Sequence, residues 1–221
     1  MPRPIEPPQR PETMTVNQLA RRARLLAAVV ELVGDGRDED MAMKDIAERA
    51  GVALGTVYRY FSSKDHLIAA ALVEWAGPLG ERARRRPPPD GPPDVRLAAA
   101  LHHALRAYQR RPAFARMLVQ VANSDDPNAS ECYRQMGPVV FSALGQAISE
   151  IDEQTRHRIL VVIGAVWYHC LVEWTNDRMT FAEADETLAG TCTLLLGERR
   201  PPARRQPASG PPGAKAASAK R

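Results

Sequence analysis

Cysteine is scarce in this chain of 221 residues: only Cys132, Cys170 and Cys192, an odd number set far apart. That excludes a disulfide framework and fits a reducing compartment. Long apolar runs are missing too. The longest, Ile159 to Val166, is too short to span a bilayer. Met1-Pro2-Arg3-Pro4 is followed by no apolar stretch, so no signal peptide is expected. These absences lead us to expect a cytoplasmic protein without a membrane partner. No segment alternates apolar and polar residues as a strand would. No phosphate-binding loop, dinucleotide fingerprint or Ser-His-Asp grouping is present either. The adjacent His102 and His103 point to different faces and have no carboxylate or cysteine at ligand spacing, and His169-Cys170 fail as a nucleophile–base pair. We therefore expect no enzyme, no metal and no cofactor.

Basic charge is also in shorter supply than the net +4 implies. The tail from Glu198 to Arg221 holds seven Lys/Arg against one acid, which leaves the remainder with 23 bases and 25 acids. The stretch from Asn17 to His66 has eight of each. Bulk charge is no evidence for nucleic-acid binding here; only the placement of single bases counts.

What is present is helical periodicity. Residues 1–14, rich in proline, read as a disordered lead-in. Thr15 and Gln18 form a capping box for a first helix carrying Leu19, Leu26, Val29, Val30 and Val33 and ending at Gly34. After an acidic loop, Asp35 to Asp40, short helices are expected over 43–50 and 54–61, with Gly51-Val52-Ala53 as the turn between them. Ser62 or Ser63 then caps a longer helix that fades in Arg82 to Arg86, most simply a solvated face. The proline-rich stretch 87–93 breaks any helix. Beyond it, Leu97, Leu101, Leu105 and Tyr108 make one stripe, and Phe114, Met117, Leu118 and Val121 the next. Asp126-Pro127 opens another helix that Gly137-Pro138 must kink or split. Asp152 to Asn176 reads as one long helix, and Thr180-Phe181-Ala182-Glu183 caps the last, which ends at Gly197. The fold is all-α, with about nine helices. Its expected parts are a first helical domain with linking helix over 15–75, a linker or loop over 76–93, a second helical domain over 94–197, and a disordered basic tail over 198–221.

Two short helices joined by a glycine turn, with Ile46, Ala47, Val52 and Val57 packed where they touch, make a helix-turn-helix. Its second helix suits the major groove of double-stranded DNA. Gly55 and Thr56 combine a bare backbone with a hydroxyl at the start of that helix, Tyr58 and Tyr60 reach toward phosphates on either side, and Lys64 opens the next helix. Phe61 reads as core with Val57, which turns Thr56 and Tyr60 outward.

The run Lys44-Asp45-Ile46-Ala47-Glu48-Arg49-Ala50-Gly51-Val52, then Gly55-Thr56-Val57-Tyr58-Arg59-Tyr60-Phe61 and Ser63-Lys64-Asp65-His66-Leu67, resembles the DNA-binding module of the TetR family over residues 17–75. The resemblance implies that Thr56, Tyr58, Tyr60 and Lys64 hold phosphates. It implies that Lys44, Leu54 and Gly55 face base edges, with Arg21, Arg22 and Arg24 as further backbone contacts. Two positions depart from the pattern. Ala42 and Ala53 stand where the family tends to place a capping side chain, which costs each helix roughly 1 kcal/mol. Asp40 is a substitute at the first. Leu54 is apolar, which suits a thymine methyl better than a polar base edge.

A helix apolar on two sides must be buried on two sides. Ile159, Val162, Val166 and Cys170 form one stripe and Ile163, Trp167, Leu171 and Trp174 another. With the family's dimerisation through its last two helices, the first stripe and Leu188, Thr191 and Leu195 are the expected homodimer face, placing two reading helices on an inverted-repeat operator. Phe114, Met117, Val121, Met136, Phe141, Trp167 and Trp174 each read singly as core. Together, around a proline-interrupted helix, they read as the lining of an apolar cavity. The stretch from Val162 to Trp174, with Leu194 to Gly197, is similar to actinobacterial regulators of sterol breakdown. That resemblance implies a repressor of lipid-catabolic genes released by an acyl-CoA thioester or steroid. An efflux repressor with another hydrophobic ligand, an activator and a ligand-independent regulator stay open alternatives.

Overall fold

The computed structural model describes residues 8–36, 41–86 and 89–197. The basic tail, Asp40 and the first half of the lead-in therefore lie outside the described residues. Among the described residues there are nine α-helices and no strand. These are α1 (Val16–Gly34), α2 (Met43–Arg49), α3 (Leu54–Tyr60), α4 (Lys64–Arg85), α5 (Pro93–Arg110), α6 (Pro112–Ala122), α7 (Pro127–Gly145), α8 (Glu153–Thr175) and α9 (Phe181–Leu196).

The helix starts follow from local chemistry. Gln18 N donates to Thr15 Oγ1, and Thr15 N donates to Gln18 Oε1 at 2.8 Å, closing the box that begins α1. Thr180 and Glu183 do the same for α9. Ser63, rather than Ser62, caps α4 by accepting from His66 N. Ala42 cannot cap by side chain, but Asp45 supplies half of the box by accepting from Ala42 N at 3.0 Å. Ala53 gives α3 no side-chain cap.

Three expectations need correction. Residues 8–14 are not a formless lead-in. Pro11–Thr13 forms a 3-10 turn, Met14 is buried, and Gln9 N donates to the Arg59 carbonyl at 3.1 Å. Residues 76–85 are not linker, because α4 continues through Pro78 to Arg85. Of the kink or split expected at Gly137-Pro138, the split is absent, since α7 runs unbroken past Pro138. In both helices the proline removes one ladder hydrogen bond, and packing between α4 and α7 holds the rest. Gly80 permits that contact, since a Cβ there would meet Val139 Cγ1 at 3.0 Å.

The N-terminal core joins Leu25, Val29 and Leu32 of α1 to Ile46, Val57, Phe61, Leu67 and Ile68. From there α4 carries the chain against α6 and α7, while α9 packs on α5 and α8. Helix α8 is long and apolar enough to cross a membrane by length and composition alone. Here its Leu160, Ile163, Cys170 and Leu171 are buried against the other helices, and only one flank is open.

Candidate nucleic-acid interface

The turn between α2 and α3 is built by hydrogen bonds before any side chain acts. Val52 N donates to Ala47 O and Gly51 N to Glu48 O, the pair that closes a helix through a left-handed residue. Gly51 occupies that conformation at φ +63°, where a side chain would be strained. Arg49, at the end of α2, bridges to Asp35 at 2.8 Å and to Glu31 at 3.4 Å, fixing α2 on α1.

This frame sets which residues of α3 face outward. Val57, Tyr60 and Phe61 recur at the spacing of three and four that makes one helix face, and all three are buried. Tyr60 is only 2% exposed. Its assignment to a phosphate is therefore wrong: a residue three after Val57 turns inward with it. The opposite face presents Gly55, Tyr58 and Arg59, with Tyr58 51% exposed. Leu54 is exposed at the entry to α3, Thr56 half-buried at its flank, Lys64 half-buried at the start of α4, and Lys44 exposed on α2. Arg59 was missed by the sequence reading, although its spacing of four from Gly55 was the signal for it. Arg21 and Arg24 are exposed on α1. Arg22 is half-buried: its guanidinium lies 5.4 Å from the Phe61 ring centre, and burial pulls its pKa down.

Behind this face sits His66, its ring edge-on to Phe61 at 5.1 Å and its Nδ1 accepting from Ser62 N at 3.2 Å. Burial pushes the imidazole down to about 4, with Asp126 opposing and Arg22 adding to the drop. The unfolded chain thus takes up the His66 proton first, near pH 6.5. Its contribution is intact above pH 6.5 and is lost as pH falls toward 4. We expect about 1–2 kcal/mol of acid destabilisation across that window, after allowing for the ring's partial exposure. In His66→Asn, where a neutral oxygen replaces Nδ1, urea melts at pH 7 and pH 4.5 should differ by that much less; an unaltered difference would remove His66 from the account.

The other expected sites divide. Phe114, Met117, Val121 and Met136 are buried. Phe114 stacks on Trp75 at 4.3 Å, and Trp75 and Trp167 both sit edge-on to Tyr108. Trp174 instead meets Phe181, and Phe141 meets His157 at the mouth of a cleft of about 800 Å³ between α7 and α8. The seven residues are not all brought together. For the dimer face, Ile159, Cys170 and Leu188 are buried within the protomer and cannot form it. The reason is again helical phase: on α8 the open flank is Val161, Val162 and Ala165, of which the expected stripe held Val162 alone. Val162 is 45% exposed, Val166 half-buried, and α9 offers Thr191, Leu194 and Leu195, with Leu194 87% exposed. His102 Nδ1 lies 2.9 Å from Asp185. Among the described residues no cluster of His, Cys, Asp and Glu is grouped to hold a metal.

Residues 25–71 match the family model "Bacterial regulatory proteins, tetR family", and residues 92–195 match "Tetracyclin repressor-like, C-terminal domain". The chain is 34% identical to the HTH-type transcriptional repressor KstR of Rhodococcus jostii, over 83% of this chain and 87% of the relative. A TetR transcriptional regulator from Rhodococcus sp. RHA1 has a similar structure, with a TM-score of 0.70, 26% identity, and coverage of 83% of this chain and 99% of that one. The FadR repressor of Thermus thermophilus, solved in complex with lauroyl-CoA, shares the fold at a TM-score of 0.63 and 19% identity, covering 86% and 100%.

Proposed function

The chain belongs to the TetR family of bacterial regulatory proteins, and on that premise we propose that it is a homodimeric repressor released by a hydrophobic effector. The observation that carries this reading is the outward face of α3, where Gly55, Tyr58 and Arg59 stand clear beside Lys64 while Val57, Tyr60 and Phe61 anchor the helix from behind. Thr56, Tyr58 and Lys64 hold phosphates; Lys44, Leu54 and Gly55 approach base edges, and Arg59 joins them. The exposed flank of α8 and the Leu194 side of α9 meet their symmetry copies, which sets two α3 helices on the two halves of an inverted repeat. The likeness to a KstR repressor spans 83% of this chain and 87% of that one, which favours repression.

The effector is an acyl-CoA thioester or a steroid, and the genes controlled are those of lipid or sterol catabolism. Support comes from the similarity of the α8 and α9 sequences to regulators of sterol breakdown, and from the fold shared with a FadR that holds lauroyl-CoA. The effector lodges among α4, α6, α7 and α8, where Met117 and Met136 repack at small cost around a long apolar body. Mass spectrometry of small molecules released from the purified protein, followed by titration of the protein bound to its own upstream DNA with lauroyl-CoA and a 3-keto steroid, tests this. One of the two should lower DNA affinity by about tenfold or more, a coupling of ordinary size. If neither changes affinity, the effector class is wrong.

A further inference from the structure

The connection between α6 and α7 is hydrogen-bonded to the turn that precedes α4, and the bonds run both ways. From the connection, Asp126 Oδ2 accepts from Ser62 Oγ at 2.6 Å and from Ser63 Oγ at 2.5 Å. From α4, Asp65 accepts from Ser124 Oγ at 2.6 Å and from Gln120 Nε2 at 2.7 Å. Asn128 Nδ2 adds a donation to Ser62 Oγ at 3.0 Å. Each carboxylate bond is charge-assisted and stronger than a neutral one. Burial alone would push the Asp126 carboxyl up, but the two serines and the backbone N–H groups of Asn128 and Ala129 outweigh it and hold it at about 2.

These contacts fall at one end on DNA-facing residues. Ser63 is the cap of α4, its Oγ also accepting from His66 N, and Lys64 is the next residue. At the other end they fall on α6, whose Gln120 shares a helix with Phe114, Met117 and Val121. Asn123, at the end of α6, donates to the Tyr168 hydroxyl on α8 at 2.7 Å. The two oxygens of Asp126 divide the work. Oδ1 caps α7 by accepting from Asn128 N at 2.8 Å, while Oδ2 alone crosses to the serines.

The geometry points to Asp126 as a positioning residue for DNA binding: from the α6–α7 connection it holds the Ser62–Ser63 turn, and through that turn the start of α4 and the placement of Lys64. This rests on the reading of Lys64 as a phosphate-holding residue. It extends that reading by naming the contacts through which a displacement of α6 reaches the DNA-facing turn.

Asp126→Ser tests it in the full chain. Serine keeps the α7 cap but is too short to reach Ser62 and Ser63. Affinity for a short random-sequence duplex, read by fluorescence anisotropy, should fall about tenfold, and amide exchange in residues 62–68 should quicken. Adding Ser62→Ala, which spares both caps, should cause little further loss, because the two changes break the same contact. Wild-type affinity in Asp126→Ser, or losses that simply add, overturn the proposal. If Asp126→Ser also lowers the melting temperature, the cycle with Ser62→Ala still decides. Lys64→Ala separates the two readings. Weaker binding there with wild-type binding in Asp126→Ser sinks the positioning role alone, whereas full binding in Lys64→Ala sinks the phosphate assignment beneath it.

Discussion

Tyr58→Ala combined with Lys64→Ala is expected to abolish retention on DNA at moderate salt, with affinity falling about a hundredfold or more at matched conditions. In the proposed complex each residue neutralises or hydrogen-bonds the backbone, and a symmetric dimer would lose both contacts twice. Affinity for nucleic acid depends on released counterions, so loss of the Lys64 charge should also flatten the slope of log affinity against log salt by roughly one per half-site. Tyr58 is 51% exposed and contributes little to the protomer's core, so the variant should keep its helical content and melting temperature. That contrast matters, because Tyr60→Ala, two residues on, should act in the reverse way. Its ring is buried between α3 and the neighbouring helices, so the loss appears first in stability. Unchanged retention in the Tyr58/Lys64 variant, measured by anisotropy on a labelled duplex near physiological salt, would remove DNA binding as the role of this face.

Val162→Glu with Leu194→Glu should convert the dimer to a monomer and lower operator affinity by about a hundredfold or more. Both side chains are open in the protomer, at 45% and 87% exposure. Neither is needed for the protomer's own core. In a symmetric interface each substitution occurs twice, and four carboxylates would have to be taken from water without partners, at several kcal/mol. Bivalent binding to two half-sites fails once the subunits separate, since each head then binds alone. Sedimentation velocity checks the first effect and anisotropy the second. A dimer that persists with both glutamates in place would show that another surface holds the subunits together. Substitution at Ile159, Cys170 or Leu188 could not make this distinction, because those side chains are buried within one chain and their loss would damage the fold itself.

The legible parts of the sequence were those in which chemistry is local. Thr15 with Gln18 and Thr180 with Glu183 announce helix starts, because a cap needs only three neighbouring residues. Gly51 announces the turn, because only glycine takes its backbone angle without strain. The missed parts depend on helical phase. An error of phase in α8 put buried Ile159 and Cys170 beside Val162 on the expected face and left out Val161 and Ala165, since successive residues lie about 100° apart on a helix. The outward assignment of Tyr60 failed for the same reason, as Val57 and Phe61 both place it on the buried side. Pro138, where a kink or split was expected, and Pro78 both lie inside unbroken helices. Their cost is local and readable, but the packing of α4 on α7 that offsets it is not.

The helix-turn-helix was legible in the sequence, because its spacing and its turn are short-range and because Gly51, Thr56, Tyr58 and Lys64 stand at the intervals that this geometry demands. The sequence also showed that the basic excess belongs to the tail and carries no argument for DNA. Only the tertiary structure decided which aromatic side chains of α3 are free, which flank of α8 is open, and that Asp126 reaches Ser62 and Ser63 across more than sixty residues of chain. Those are long-range contacts, made when helices distant in sequence pack together, and no local pattern of residues encodes them.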